Sequence, residues 1–207
     1  MKSKKLIPML AAVTLLAVIG AGATLAYFTD TSDTTNIITM GHVEIEIDEP
    51  GYEGDDNNEV KDILPGETII KDPTVTVSEG SADAYIRTTL TIGNLTKEQT
   101  EELLAGIVIN AGWYYNEEDG YYYYNRKLAA GENATLFNQV TVPENWGNET
   151  AGLSFQIVVS AEAIQADNFE PQYNEDGSMI ICWRNSAGEP VTAENYNGGN
   201  VSTSGGN

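Results

Sequence analysis

The chain has 207 residues, 31 of them acidic and 10 basic, with a formal charge of −21 at neutral pH. So acidic a surface repels nucleic-acid phosphates and anionic lipid headgroups, which excludes both as partners. A single cysteine, Cys182, excludes an internal disulfide framework, and a single histidine excludes any mechanism that needs two imidazoles.

Residues 1–26 read as an export signal. Lys2, Lys4 and Lys5 open the chain, residues 6–19 form an apolar run, and residues 20–26 are mostly small. This order predicts cutting by a signal peptidase between Ala26 and Tyr27, with Thr24 two positions further back. The alternative is an uncleaved anchor, since residues 6–28 are long enough to span a bilayer. Pro8, Gly20 and Gly22 shorten that helix and argue against it. Without the signal, 181 residues remain, enough for one domain with its own core. Three lysines leave with it, so the formal charge goes from −21 to −24. The protein is expected outside the cell, and at the membrane only as a precursor. Neither a lipidated cysteine nor a C-terminal anchor is expected, because Cys182 lies far downstream and the C-terminus is polar.

From residue 27 the chain reads as β. Residues 27–41 are a lead-in or first strand. Alternation is clean in His42-Val43-Glu44-Ile45-Glu46-Ile47, with Val43, Ile45 and Ile47 inward and the charges outward. Residues 49–62 form an acidic loop, Pro65-Gly66 and Glu79-Gly80 mark corners, and residues 74–77 make a short strand. In residues 84–92, Ala84, Ile86, Leu90 and Ile92 point inward, and Tyr85, Arg87, Thr89 and Thr91 outward.

One helix is expected. Thr96 and Gln99 form a capping box, residues 97–104 are good helix formers, and Gly106 supplies a stop. Strands follow at residues 107–109, 113–115 and 121–125. Asp119-Gly120 turns the chain between the last two, because glycine accepts a positive φ. Ala130-Gly131 leads into a strand over residues 135–142, and Pro143 with residues 144–152 makes a polar loop. Leu153, Phe155, Ile157, Val159, Ala161 and Ala163 share one face of the longest strand. Residues 170–196 are an extension with a candidate hairpin, whose strand at 178–183 holds Cys182 as a buried thiol. Residues 197–207 are a polar tail too poor in apolar side chains to fold. Many short strands and one short helix predict an all-β fold, two antiparallel sheets packed face to face over residues 42–169.

Several motifs stand in a recognisable order. They are Gly20-Ala21-Gly22-Ala23-Thr24-Leu25-Ala26 running into Tyr27-Phe28-Thr29-Asp30, residues 36–41, Leu64-Pro65-Gly66 and Lys71-Asp72-Pro73-Thr74-Val75. The Tyr-rich hairpin ending at Asn125, Leu128-Ala129-Ala130-Gly131-Glu132 and Ala161-Glu162-Ala163-Ile164-Gln165 continue the series. Together they resemble the TasA/camelysin family of Gram-positive bacteria, over residues 20 to about 169, with no counterpart for the remainder.

That resemblance implies a jelly-roll-like antiparallel β-sandwich, processing by a SipW-type signal peptidase, and a place at the cell surface or in the biofilm matrix. It also implies that a leading strand freed by cleavage pairs with the next copy, or with a related matrix fibre protein, to build fibres. Here the candidate arm is residues 27–40, with Tyr27, Phe28, Ile37, Ile38 and Met40 to fill sites along a receiving groove. An incomplete sandwich exposes unpaired backbone groups at a sheet edge, which an extended arm satisfies. The simpler alternative makes the same residues the first strand of their own sandwich.

The camelysin branch is described as metallopeptidase-like. The zinc candidates are His42, Glu44 and Glu46, which share one strand face, but no His-Glu-x-x-His occurs and a solvated charged face is the stronger reading. Asp55-Asp56-Asn57-Asn58-Glu59 invites calcium, yet Val60 stands where an EF-hand loop needs glycine. No catalytic residue is assigned and no cofactor is expected. Trp113, Tyr122, Tyr124 and Trp146 are a candidate aromatic surface for stacking on sugars or on another subunit, against the alternative of cross-strand packing. The chain therefore reads as a secreted, non-enzymatic surface or matrix protein. An extracellular metallopeptidase and a carbohydrate-binding module are the alternatives.

Overall fold

The computed structural model describes residues 42–52, 54, 60, 62–150, 152–167, 169–185, 187–192 and 202–204. The export signal with its cut between Ala26 and Tyr27 lies outside the described residues. So do the arm residues Tyr27, Phe28, Ile37, Ile38 and Met40, and the acidic stretch from Asp55 to Glu59. Every strand pairing among the described residues is antiparallel, and one short α-helix accompanies the strands, as the sequence predicts.

The alternating segments become strands β1 (Ile45–Asp48), β2 (Thr68–Ile70), β3 (Thr74–Val77) and β4 (Ala84–Gly93). Helix α1 (Lys97–Ala105) follows, then β5 (Ile107–Ile109), β6 (Trp113–Asn116), β7 (Tyr121–Tyr124), β8 (Asn133–Thr135) and β9 (Phe137–Thr141). A 3-10 turn at Asn148–Thr150 leads to β10 (Gln156–Gln165), β11 (Glu170–Tyr173), β12 (Ile180–Arg184) and β13 (Ser202–Ser204).

One layer is the five-stranded sheet β13-β10-β4-β7-β6, and the other holds the three-stranded sheets β1-β3-β8 and β2-β9-β5. Their inner faces meet in one core. Ile86, Val159, Ala161 and Ala163 of the first layer pack with Ile45, Val75, Val77, Ala134, Ile107, Phe137 and Val140 of the second. Apolar burial of this kind contributes roughly 25 cal/mol per Å² removed from water, so the period-2 alternation is what drives the layers together.

The two three-stranded sheets share a corner. Ile70 pairs with Gln139 in one and Thr74 with Thr135 in the other. Between these pairs the Lys71 N–H donates to the Asn138 carbonyl at 3.2 Å, and the Leu136 N–H donates to the Pro73 carbonyl at 2.9 Å. The expected single strand over residues 135–142 is therefore bent at Leu136, with its partner bending beside it at Pro73.

Helix α1 begins as its capping box predicts: the Gln99 N–H donates to Thr96 Oγ1, and Gln99 Oε1 accepts from the Thr96 N–H. Leu103 is its buried anchor. The β6–β7 hairpin closes at Asn116 opposite Tyr121, with Gly120 at φ +77° completing a four-residue loop.

Four expectations change. Arg87, assigned to solvent by alternation, is fully buried, because β11 and β12 roof the outer face of the five-stranded sheet. Leu153 lies before the long strand and is 38% exposed, since its N–H is turned back to the Thr150 carbonyl. Strand β2, too short for periodicity to reveal, pairs with β9. Within the tail, Ser202–Ser204 pairs with Val159–Ala161, because backbone groups at a sheet edge accept a strand whatever its side chains.

Candidate functional site

The most constrained cluster sits on the outer face of the five-stranded sheet. Register places Arg87 of β4 opposite Glu162 of β10 on one side and Tyr123 of β7 on the other. Arg87 Nε donates to Glu162 Oε2 at 2.8 Å, and Nη1 donates to Tyr123 Oη at 3.1 Å and to the Val191 carbonyl at 2.8 Å. The guanidinium carbon lies 4.0 Å from the Tyr121 ring centre and 4.6 Å from that of Trp183. Trp183 and Val191 arrive from the C-terminal extension. With Ile164 and Ile180 they make a second core on top of the sheet.

The electrostatics fit a closed clasp. Burial opposes the charge of Arg87, but Tyr123 and Glu162 outweigh it and hold the guanidinium pKa above its ordinary value. Burial raises the Tyr123 phenol strongly, aided by its 2.6 Å hydrogen bond to Asp119 Oδ2. Burial raises Tyr121 too, and its Oη donates to Glu162 Oε1 at 3.0 Å. Groups held so firmly in one protonation state suit a structural lock and not proton transfer near neutral pH.

The aromatic candidates do not form an open platform. Trp113 and Trp146 are buried, with 9% and 5% exposure. Each indole N–H is satisfied, Trp113 Nε1 donating to the Thr135 carbonyl at 3.0 Å and Trp146 Nε1 to Glu102 Oε2 at 2.7 Å. Tyr122 and Tyr124 are half-buried against the main core, and Trp113 packs on Tyr124 with ring centres 5.1 Å apart. Trp113, Tyr122 and Tyr124 thus make the ring contacts across the β6–β7 hairpin that the packing alternative expects, and Trp146 meets Phe155 edge-on at 6.0 Å. An open depression of about 540 Å³ lies beside β6, where Tyr115 is 44% exposed and stacks on Tyr122 at 4.7 Å.

Two of the three metal candidates approach each other, and the third does not join them. His42 and Glu44 are 69% and 49% exposed, their closest approach is 3.9 Å, and Glu46 is exposed without joining them. Among the described residues no group of three or more His, Cys, Asp or Glu is placed to hold a metal ion. The described residues do not fit the three-ligand zinc site of a protease. Cys182, expected as a buried thiol, is half-buried; burial raises its pKa, and its Sγ lies 3.2 Å from Gln172 Oε1.

Sequence reasoning missed two buried charged contacts. One is the Arg87 clasp. The other joins Lys71 Nζ to Glu49 Oε1 at 2.6 Å, with side-chain exposures of only 9% and 13%. The available signal was the company kept by Arg87: a lone cation in a strand, with Tyr121 and Tyr123 alternating in another. No helix among the described residues is long and apolar enough to cross a membrane.

The family model described as camelysin metallo-endopeptidase matches residues 1–183. The match runs beyond residue 169, where the motif resemblance ends, and takes in β11 and Trp183. Comparison with curated proteins gives no match, and neither does comparison with solved structures.

Proposed function

This chain belongs to the camelysin metallo-endopeptidase family, the TasA/camelysin family of the motif resemblance, and on that premise we propose that it is an exported, non-enzymatic surface or matrix protein. Its work is mechanical, with backbone pairing between copies or with a related fibre protein. Export depends on a signal peptidase cutting between Ala26 and Tyr27, and the freed residues 27–40 then act as a donated strand.

The observation that carries the non-enzymatic reading is the donor chemistry. The chain's one imidazole, His42, is exposed, and among the described residues no third His, Cys, Asp or Glu joins it and Glu44, whereas a catalytic zinc requires three converging protein ligands. Strand donation draws support from the sheet order, which leaves β6 as a terminal strand of the five-stranded sheet. An edge of that kind offers N–H and C=O groups to an incoming segment, and head-to-tail pairing that does not close yields filaments.

The test compares polymerisation of the mature chain with that of a chain lacking residues 27–40. Loss of filaments in the shortened chain is the expected result, and equal polymerisation refutes strand donation. The family's description favours one second reading, an extracellular metallopeptidase. It requires stoichiometric zinc in the purified protein and peptide cleavage that a chelator stops; cleavage that survives zinc removal dismisses it.

A further inference from the structure

The five-stranded sheet ends in β6 on one side and in β13 on the other. Strand β13 is Ser202-Thr203-Ser204, and it runs antiparallel to Val159–Ala161 in the middle of β10. It also neighbours β1, the terminal strand of the sheet β1-β3-β8. The tail strand therefore sits where the rims of the two layers come together. The ladder it joins is central, because Val159 and Ala161 have no solvent exposure and belong to the main core. Strand β10 is ten residues long and pairs with β4 from Gln156 opposite Gly93 to Gln165 opposite Ala84. The pairing with β13 covers three of those ten. Ser-Thr-Ser contains no apolar residue, so backbone pairing is what it offers. So short a strand is held chiefly by its tether, the nine residues between Thr192 and Ser202. A short linker keeps a segment at roughly millimolar effective concentration beside its site.

We propose that β13 is a stopper built into the chain: it occupies the strand-accepting edge of β10, and residues 27–40 of another copy displace it when copies join. This rests on strand donation by residues 27–40, and adds the acceptor edge and its control. The edge of β10 is favoured over that of β6 because it already takes a strand, and because it offers ten residues against four. The fourteen residues of the arm can pair along more of β10 than β13 does. They also bring Tyr27, Phe28, Ile37, Ile38 and Met40, where the tail strand brings no apolar side chain.

Without an occupant, the edge of β10 would present N–H and C=O groups beside the core, a template for indiscriminate pairing. A tethered stopper guards that edge until a longer strand arrives. Its effect on assembly follows from occupancy. A stopper that leaves the edge free about one-tenth of the time weakens the apparent affinity for an incoming strand about tenfold. Strand β13 lies past residue 183, where the family match ends, so the stopper is outside the residues the family model covers.

Filament growth by the mature chain, followed by light scattering and electron microscopy, tests the proposal against the same chain lacking residues 201–207. Removing the stopper is expected to speed assembly by about tenfold. A second variant keeps the whole tail. Ser160→Cys/Thr203→Cys, in a Cys182→Ser background, allows a disulfide across directly opposed ladder positions. Oxidised, this chain is expected not to assemble; reduced, it assembles as the parent does. The same molecule is compared in two redox states, so a folding defect cannot produce the difference. Where filaments form, a tailless chain that assembles no faster than the intact one, or an oxidised staple that assembles unimpaired, overturns the stopper and leaves strand donation standing. Absence of filaments from the intact chain, the tailless chain and the reduced staple alike overturns strand donation, and the stopper with it.

Discussion

Arg87 and Glu162 stand directly opposite each other on β4 and β10, and their 2.6 Å ion pair is closed beneath the C-terminal hairpin. The guanidinium has no solvent exposure and the carboxylate side chain 14%. A cation so placed draws the hairpin down from above through Trp183 and the Val191 carbonyl. The extension is thereby part of the folded body, in keeping with a family match that includes Trp183.

Glu162→Gln removes the counter-charge and leaves Arg87 buried. Breaking a buried pair from one side costs about 3–5 kcal/mol, and the slight exposure of Glu162 favours the lower end. A combined Arg87→Met/Glu162→Leu variant is expected to recover much of the loss, because neither charge then needs compensation. Urea unfolding of Arg87→Met, Glu162→Leu and the double variant measures the coupling.

Trp183→Ala empties the centre of the second core, where Trp183 meets Tyr123 edge-on at 5.7 Å. A large-to-small change of this kind costs about 3–5 kcal/mol. The loss is expected to be local. Amides of β12 should exchange with solvent much sooner, while those of the β4–β10 ladder stay protected.

Alkaline pH loosens the same region. Burial raises the Tyr123 phenol pKa above its ordinary 10.0 in the folded chain. The neutral phenol is therefore favoured by folding, and its contribution is fully present below pH 10. It is lost as pH rises from there towards the folded value. Tyr121, Tyr122 and Tyr85 shift in the same direction. Stability by denaturant titration should fall steeply above pH 10, and Tyr123→Phe should flatten that slope while lowering stability at neutral pH.

Two glycines separate steric from conformational cost. A Cβ on Gly106 meets the Thr141 carbonyl oxygen at 2.3 Å, although its φ of −85° suits any residue. Gly106→Ala therefore forces α1 and β9 apart, at about 1–3 kcal/mol. Gly120 has open space around its Cβ but a φ of +77°, so Gly120→Ala costs about 1–2 kcal/mol from backbone strain alone. Thermal unfolding ranks the pair, and only the Gly106 variant should alter the near-ultraviolet spectrum of Trp146, which bonds to Glu102 on the same helix.

Periodicity made much of this fold legible. Ile45 and Val75 to Val77 read correctly because one face meets the core and the other meets water. The Thr96 capping box marked the helix because its chemistry is local. Arg87 was misread for a physical reason: alternation tells which residues share a face, never what later chain covers it. The Tyr hairpin carries the same lesson. Tyr121 and Tyr123 face one way and Tyr122 and Tyr124 the other, yet both sets are packed, one under the hairpin and one in the main core. Nor does composition reveal that Ser202–Ser204 finds a backbone partner on β10. The metal candidates were legible as residues, but whether a third ligand joins His42 and Glu44 depends on rotamers that no spacing rule supplies.

The shared corner at Pro73 and Leu136 governs how this body bears load. Two neighbouring strands cross from one small sheet to the other together, stitched by hydrogen bonds on both sides of the bend. Neither sheet can slip past its companion unless both threads of that seam tear at once. Tension entering through either sheet is handed to the other.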